Sequence, residues 1–301
     1  MNFRAQTIPV LTLLMLLVSV CFTGCEALEE AAETGRRVVE ENPELIDEED
    51  RGAVLAGLRS VGAMLGEIDT REEIAMGQAL AVRTFSSFGR PHPDQRLQRY
   101  VSKVGNLVAL QSERPGLPYS FAVVQNTDTT ALALPGGYVF VSSGLLQQLN
   151  SESELAAILA HEVAHVARKH GLEISLRDRR ISSLLNFAGE LDEDMEQYRE
   201  FIDKTYDKLA RQGYDQRYEI KADLAGTAYA YRAGYHPEGL LPFLQRSAKS
   251  NGQISFEAFK THPDPRQRIR EIQNYLDRLG TYTGSPLLTG RYETQCLARL
   301  N

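Results

Sequence analysis

An apolar predicted helix that carries two histidines and a glutamate limits how this chain can fold. Ser151 followed by Glu154 is a capping-box pattern, which predicts that a helix begins here. The helix is expected to end at Gly171, and its apolar residues recur at helical spacing: Leu155, Ile158, Leu159, Val163 and Val166. Within it lies His161-Glu162-Val163-Ala164-His165. Since residues four apart share a helix face, the two imidazoles can point at one metal ion, and this helix must pack with that face toward the ion.

The same pentapeptide indicates hydrolytic chemistry. H-E-x-x-H on a helix is a metalloprotease pattern. Glu162 lies beside the first histidine, where it can take a proton from an attacking water. In a chain of 301 residues with 6 histidines, the pattern is expected by chance roughly 0.01 times. Two ordinary helix histidines are the alternative.

A catalytic zinc has three protein ligands and one open position, so a third ligand is needed for one Zn²⁺ per chain. His170 is one candidate, although it is expected to interact with terminal carbonyls in the last helical turn. Glu219 is the other candidate. It lies four residues before Asp223 on a separate predicted helix, so both can face the histidines. Glu219 would bind the metal and Asp223 would accept the free N–H of His161. A solvated face is the alternative for this acidic pair.

Apolar patterning predicts an α+β fold that is mostly helical, with a small β-sheet beside the histidine helix. Two helices, around residues 74–88 and 97–108, come first. About three strands follow, and they are predicted at residues 119–125, 132–134 and 138–142, with a tight Pro135-Gly136-Gly137 connection. Further helices are predicted at 192–211 and 214–233.

Several ordered motifs resemble one family over roughly residues 70–280. These motifs are Ala131–Val141, Ser143–Leu146, Glu154–Ala156, the histidine helix, Glu219–Asp223, Ala233–Tyr235 and Thr261–Pro263. Together they resemble the zinc gluzincin peptidases, which include CaaX-prenyl proteases, HtpX-like enzymes and periplasmic BepA-like proteins. The resemblance implies a zincin-like metalloprotease domain.

Two further site predictions depend on this resemblance. The strand end and turn formed by Leu134, Pro135, Gly136 and Gly137 are predicted to bind substrate by strand addition. Plain sheet core is the alternative. His262, in a Thr-His-Pro setting, is predicted to stabilise the oxyanion or to act as a fourth, latency-conferring ligand. The alternative is a polar residue that merely precedes a helix.

The first 24 residues are predicted to be a lipoprotein signal peptide. Arg4 precedes a thirteen-residue apolar run, Ile8–Val20, which is too short for a permanent span. Phe22-Thr23-Gly24-Cys25 resembles a bacterial lipoprotein box, so Cys25 is the predicted lipidation site. Glu26 favours the periplasmic side of the outer membrane as the location. An ordinary signal peptide and an uncleaved anchor are the alternatives.

The net charge of −7 is concentrated near this cysteine. Residues 26–50 carry eleven acids against two arginines, a net of −9, whereas residues 51–301 carry 30 basic and 29 acidic side chains, a net of +1. Residues 25–69 are therefore predicted to be a lipidated acidic tether. The resemblance implies that residues 70–280 are the peptidase domain, and residues 281–301 are predicted to be a C-terminal tail. Because no basic surplus exists, no nucleic-acid partner is expected. Cys296 is expected to be a small buried residue.

The predicted function is zinc-dependent endoproteolysis of envelope, membrane-associated or misfolded proteins, with protein or peptide substrates and a membrane attachment through Cys25. An envelope chaperone or assembly factor with a latent or structural zinc site is the alternative. The sequence leaves the oligomeric state open.

Overall fold

The computed structural model describes residues 34, 36–41, 51–52, 54–55, 69–175, 195–249, 265–280 and 286–300. The chain divides into two compact units, of which Met1–Ile68 with Ser175–Asp194 is the first. In its described part that unit contributes short helical stretches such as residues 36–41. The second unit, Asp69–Ile174 with Met195–Asn301, holds the elements described below. Within the described ranges, no helix combines the length and apolarity needed to cross a membrane.

The second unit is mostly helical, as predicted. Its described helices include α1 (Thr70–Ser87), α2 (Gln95–Ala109), α3 (Ser143–Gln148), α4 (Glu152–Ala167), α5 (Met195–Asp207), α6 (Gln216–Arg232), α7 (Leu241–Lys249), α8 (Pro265–Leu279) and α9 (Thr289–Gln295). Aspartates begin three of them: the side chains of Asp69, Asp94 and Asp215 each accept two backbone N–H groups of the first turn. A single π-helical turn, Lys208–Gln212, follows α5.

Three strands form the predicted sheet in the described part of the chain. They are β1 (Ser120–Val124), β2 (Ala131–Leu134) and β3 (Tyr138–Ser142), in the order β1-β3-β2. β1 is parallel to the central β3, whereas β2 is antiparallel to β3, with Leu134 opposite Tyr138. The Pro135–Gly137 turn joins β2 to β3, and Gly136 adopts φ +76°, a conformation that favours glycine. The sheet therefore presents β2 at one edge.

Helix α4 lies at the centre of the unit. All sixteen of its residues are buried, and its apolar side chains share one core with α2, α6 and the sheet. Ser151 accepts the N–H of Glu154 as predicted, but the Glu154 carboxylate accepts from Asn150 and binds Arg246. The helix ends at Ala167 and not at Gly171, because Lys169 adopts a left-handed conformation with φ +56°.

The C-terminal residues pack on the beginning of α4. The Ser153 hydroxyl donates to the Pro286 carbonyl at 2.8 Å, and the Tyr292 hydroxyl donates to the Leu146 carbonyl at 2.6 Å. Tyr292 and Cys296 are fully buried in the core, so residues 286–300 of the predicted tail pack as part of this unit. Cys296 is a free cysteine, and burial raises the pKa of its thiol to about 11.

Candidate active site

Helices α4 and α6 bring three potential metal ligands together. His161 Nε2 lies 3.1 Å from His165 Nε2, and the Glu219 carboxylate oxygens lie 3.5 Å and 3.3 Å from these two nitrogens. One donor atom from each residue falls within 4.8 Å of the others, and all three side chains are buried. The close contact of α4 and α6 requires Gly226, since a Cβ there would lie 2.8 Å from the His161 backbone nitrogen. The two helices thus form one compact donor set.

A buried aspartate and arginine orient this donor set. His161 Nδ1 lies 2.8 Å from Asp223 Oδ1, which is the contact expected from the sequence. Arg268, from α8, donates from Nε and Nη2 to the two Asp223 oxygens, each at 2.7 Å, and its Nη1 lies 3.3 Å from Glu219. Burial alone would raise the pKa of Asp223, but the Arg268 charge and the His161 bond hold it below its usual value. Burial lowers the pKa of His161 despite Asp223.

His165 is oriented by two other side chains. Its Nδ1 lies 3.1 Å from the Nδ1 of His170, and the Tyr214 ring stacks on it with 4.0 Å between ring centroids. Burial lowers the pKa of His170 to about 3, and the two Nδ1 atoms lie within hydrogen-bonding distance. The sequence predicted that His170 interacts with carbonyls at the end of the helix, but in the structure it contacts His165. The reason is that α4 ends early and the turn at Lys169 directs His170 back to His165.

Glu162 faces a narrow pocket between α4 and the sheet edge. Residues 130–133, Leu209, Ala210 and Tyr214 also line this pocket. Tyr214 is buried, and burial together with the Glu162 and Glu219 charges raises the pKa of its hydroxyl. The π-helical turn and Tyr214 therefore line the space between β2 and Glu162.

The structure places the other predicted site residues as follows. Leu134 ends β2, and Pro135, Gly136 and Gly137 form the turn after it; all four are buried. His262 and Cys25 lie outside the described residues.

Arg268, His170 and Tyr214 are site residues whose contacts sequence reasoning missed. The sequence did contain a signal for Arg268, because this arginine lies on the same helix face as Ile272 and Leu276, four and eight residues later. A charged residue on an apolar face indicates a buried partner of opposite charge. Tyr214 precedes α6 in a short loop, where no local pattern predicts a contact with His165.

The donor set suits a metal ion. Two imidazole nitrogens and a carboxylate oxygen are the chemistry of catalytic sites that keep one position open. Both histidines already contact a second polar group through Nδ1, which directs Nε2 toward the donor cluster. These residues fit a bound divalent cation.

Comparisons with known proteins agree with this geometry. The beta-barrel assembly-enhancing protease of Yersinia pestis is 28% identical over 245 residues, 76% of this chain and 50% of that protein. Mitochondrial metalloendopeptidase OMA1 of Schizosaccharomyces pombe is 29% identical over 179 residues, 59% of this chain and 52% of that protein. Metalloprotease LoiP of Escherichia coli strain K12 is 26% identical over 175 residues, 57% of this chain and 68% of that protein.

The chain thus spans about half the length of the first two relatives. The family profile of Peptidase family M48 matches residues 91–276, which include α4, the sheet and the residues that contribute the donor atoms. Most of the second unit falls within this match. The chain therefore belongs to peptidase family M48.

Proposed function

We propose that this chain is a zinc-dependent endopeptidase. The observation that carries the proposal is the buried cluster of His161, His165 and Glu219, with Glu162 next to the first histidine on α4. The relatives named metalloendopeptidase and metalloprotease support the same activity.

In this mechanism Glu162 is the general base. A bound Zn²⁺ would polarise the scissile carbonyl and lower the pKa of an attacking water. Glu162 accepts a proton from that water and then passes it to the leaving amide nitrogen. Asp223 holds the imidazole of His161, and His170 and Tyr214 hold that of His165, so both Nε2 atoms stay aligned.

We propose that the substrate binds as an extended peptide along β2. An edge strand offers backbone groups for strand addition, and Leu134, with the Pro135–Gly137 turn, ends that strand. Leu209 and Tyr214 line the narrow pocket between β2 and Glu162, next to this strand.

The proposed substrates are membrane-associated or misfolded proteins of the bacterial envelope. The name of the Yersinia pestis relative, beta-barrel assembly-enhancing protease, supports this class. The apolar run followed by Cys25 supports export and lipid attachment, and Glu26 supports the periplasmic side of the outer membrane.

Metal removal tests the proposed activity. The purified protein should cleave casein, lose that cleavage after treatment with 1,10-phenanthroline, and regain it when Zn²⁺ is added back. Glu219→Gln should bind Zn²⁺ weakly and stay inactive under the same conditions, whereas Glu200→Gln, at an exposed ion pair with Lys204, should behave as wild type. Casein cleavage by metal-free protein would refute the proposal.

A further inference from the structure

A second buried network lies beside the donor cluster, and no step of the proposed mechanism uses it. Glu73, on α1, is 1% exposed. Its Oε2 accepts from Arg114 Nη2 at 2.7 Å, while its Oε1 accepts from Arg114 Nη1 and from the Gly136 backbone nitrogen, both at 3.0 Å. The Glu73 carboxylate is therefore bonded to a guanidinium and to a turn of the backbone at once.

This network connects the end of β2 to the end of the metal-binding helix. Gly136 lies in the turn that follows β2, and a Cβ at Gly136 would come within 2.7 Å of the Ile74 Cα, so α1 packs directly on the turn. Arg114 Nη1 also lies 3.5 Å from the carbonyl oxygen of Val166, in the last turn of α4. Val166 immediately follows His165.

A shared crevice shows how near the two sites are. Glu73, Leu134, Pro135 and His165 line the same crevice, so the Glu73 carboxylate lies close to both the end of β2 and a metal ligand. Breaking the ion pair would leave a buried guanidinium or carboxylate without its partner, and the turn would shift to let in water. A displacement of about 1 Å in a bound substrate can reduce turnover about 100-fold.

We propose that Glu73 and Arg114 are positioning residues that fix the strand β2 relative to His161, His165 and Glu162. The proposal rests on the proposed peptidase function. In this role the pair sets how far a peptide on β2 lies from the metal, and it leaves the metal ligands themselves unchanged.

The chain offers a matched control at the other end of α4. Glu154 is also buried, and it forms a two-bond ion pair with Arg246, in α7. This pair does not touch the β2 turn. Glu154→Gln therefore reports what the loss of a buried ion pair does to stability alone.

The test compares Glu73→Gln with Glu154→Gln as zinc-loaded full-length proteins, at a temperature where both are folded. Two inhibitors separate metal binding from binding along β2. Acetohydroxamate binds the metal alone, whereas a peptide phosphonamidate binds the metal and also pairs with β2. For Glu73→Gln we expect the phosphonamidate Ki to rise and casein kcat/KM to fall, each about 10-fold or more, with the acetohydroxamate Ki and zinc content unchanged. Glu154→Gln should change none of these.

Arg114→Lys provides a second variant if Glu73→Gln does not fold, and it should give a smaller change of the same kind. Equal loss of affinity for both inhibitors would overturn the proposal, because the metal site itself would then be disturbed. Wild-type values in Glu73→Gln would overturn it as well. A wild-type protein that binds no zinc and cleaves nothing would instead refute the peptidase function, which keeps the two failures distinct.

Discussion

At the scale of single residues, the site depends on a buried chain of charged groups. Arg268 bonds Asp223 through two nitrogens, Asp223 contacts His161, and the same guanidinium lies 3.3 Å from Glu219. Burial by itself would lower the pKa of Arg268, but Asp223 and Glu219 raise it, so the guanidinium stays charged. One arginine thus contacts both the carboxylate that orients His161 and the carboxylate of the donor cluster.

Replacing Arg268 should destabilise the metal-free protein. Arg268→Gln leaves the Asp223 and Glu219 carboxylates buried without their cation, which is expected to cost about 3–5 kcal/mol in the free energy of unfolding. Arg217→Gln, at an ion pair whose arginine side chain is 86% exposed, should cost less than about 1 kcal/mol. Urea unfolding of both variants measures the difference, and equal stabilities would contradict the role given to Arg268.

Local spacing explains which site residues the sequence could predict. His161, Glu162 and His165 follow from one helical turn. Glu219 and Asp223 required only the assumption that a second helix faces the first, and the structure brings both to the histidines. Arg268 and Tyr214 reach the site through tertiary packing of segments that are distant in sequence or irregular, and periodicity carries no such information.

At the scale of elements, the site is an interface between α4 and α6. The structure confirms the predicted helices within its described residues and the three-stranded sheet, whose apolar residues recur at helical or strand spacing. The end of α4 was predicted four residues too late, at Gly171 and not at Ala167. The helix ends early because Lys169 adopts the left-handed conformation that glycine usually adopts after a helix. Gly226 controls the interface, since an added methyl group would meet Ala160 and His161 at less than 3 Å.

Gly226→Ala should separate the two helices and weaken metal binding. Alanine favours a helix by about 1 kcal/mol, but overpacking costs about 1–3 kcal/mol, and it pushes Glu219 away from the histidines. We expect a lower melting temperature and a clearly raised Kd for Zn²⁺. Gly290→Ala, whose Cβ would have no neighbour within 4 Å, is the control and should change neither. Wild-type zinc affinity in Gly226→Ala would show that the close contact is not needed.

At the scale of the whole molecule, the metal-binding helix is held at both ends. Glu152, at its beginning, accepts hydrogen bonds from Tyr100, Tyr235 and Arg291, which come from three other parts of the chain. Arg114 contacts its last turn.

Outside this unit, the negative charge is concentrated in residues 26–50, between the proposed lipid and the catalytic unit. We propose that anionic lipids repel this segment and so keep the near-neutral residues 51–301 off the bilayer.

Loss of Cys25 should release the protein from membranes. The proposed lipid chains bury in the bilayer and supply the attachment, which the acidic residues 26–50 oppose. Fractionation of cells should therefore find Cys25→Ser in the soluble envelope fraction and Cys21→Ser in the membrane fraction. Retention of Cys25→Ser on membranes at high salt would contradict the lipid attachment.

In the proposed mechanism, a zinc ion held by His161, His165 and Glu219 works with Glu162 as the base. The most direct measurement determines zinc content and casein turnover on the same preparation of Glu162→Gln. We expect one zinc per chain, as in the wild type, and a turnover reduced by about 10²- to 10⁴-fold, the contribution of a general base. Unchanged turnover at full zinc occupancy would contradict the claim.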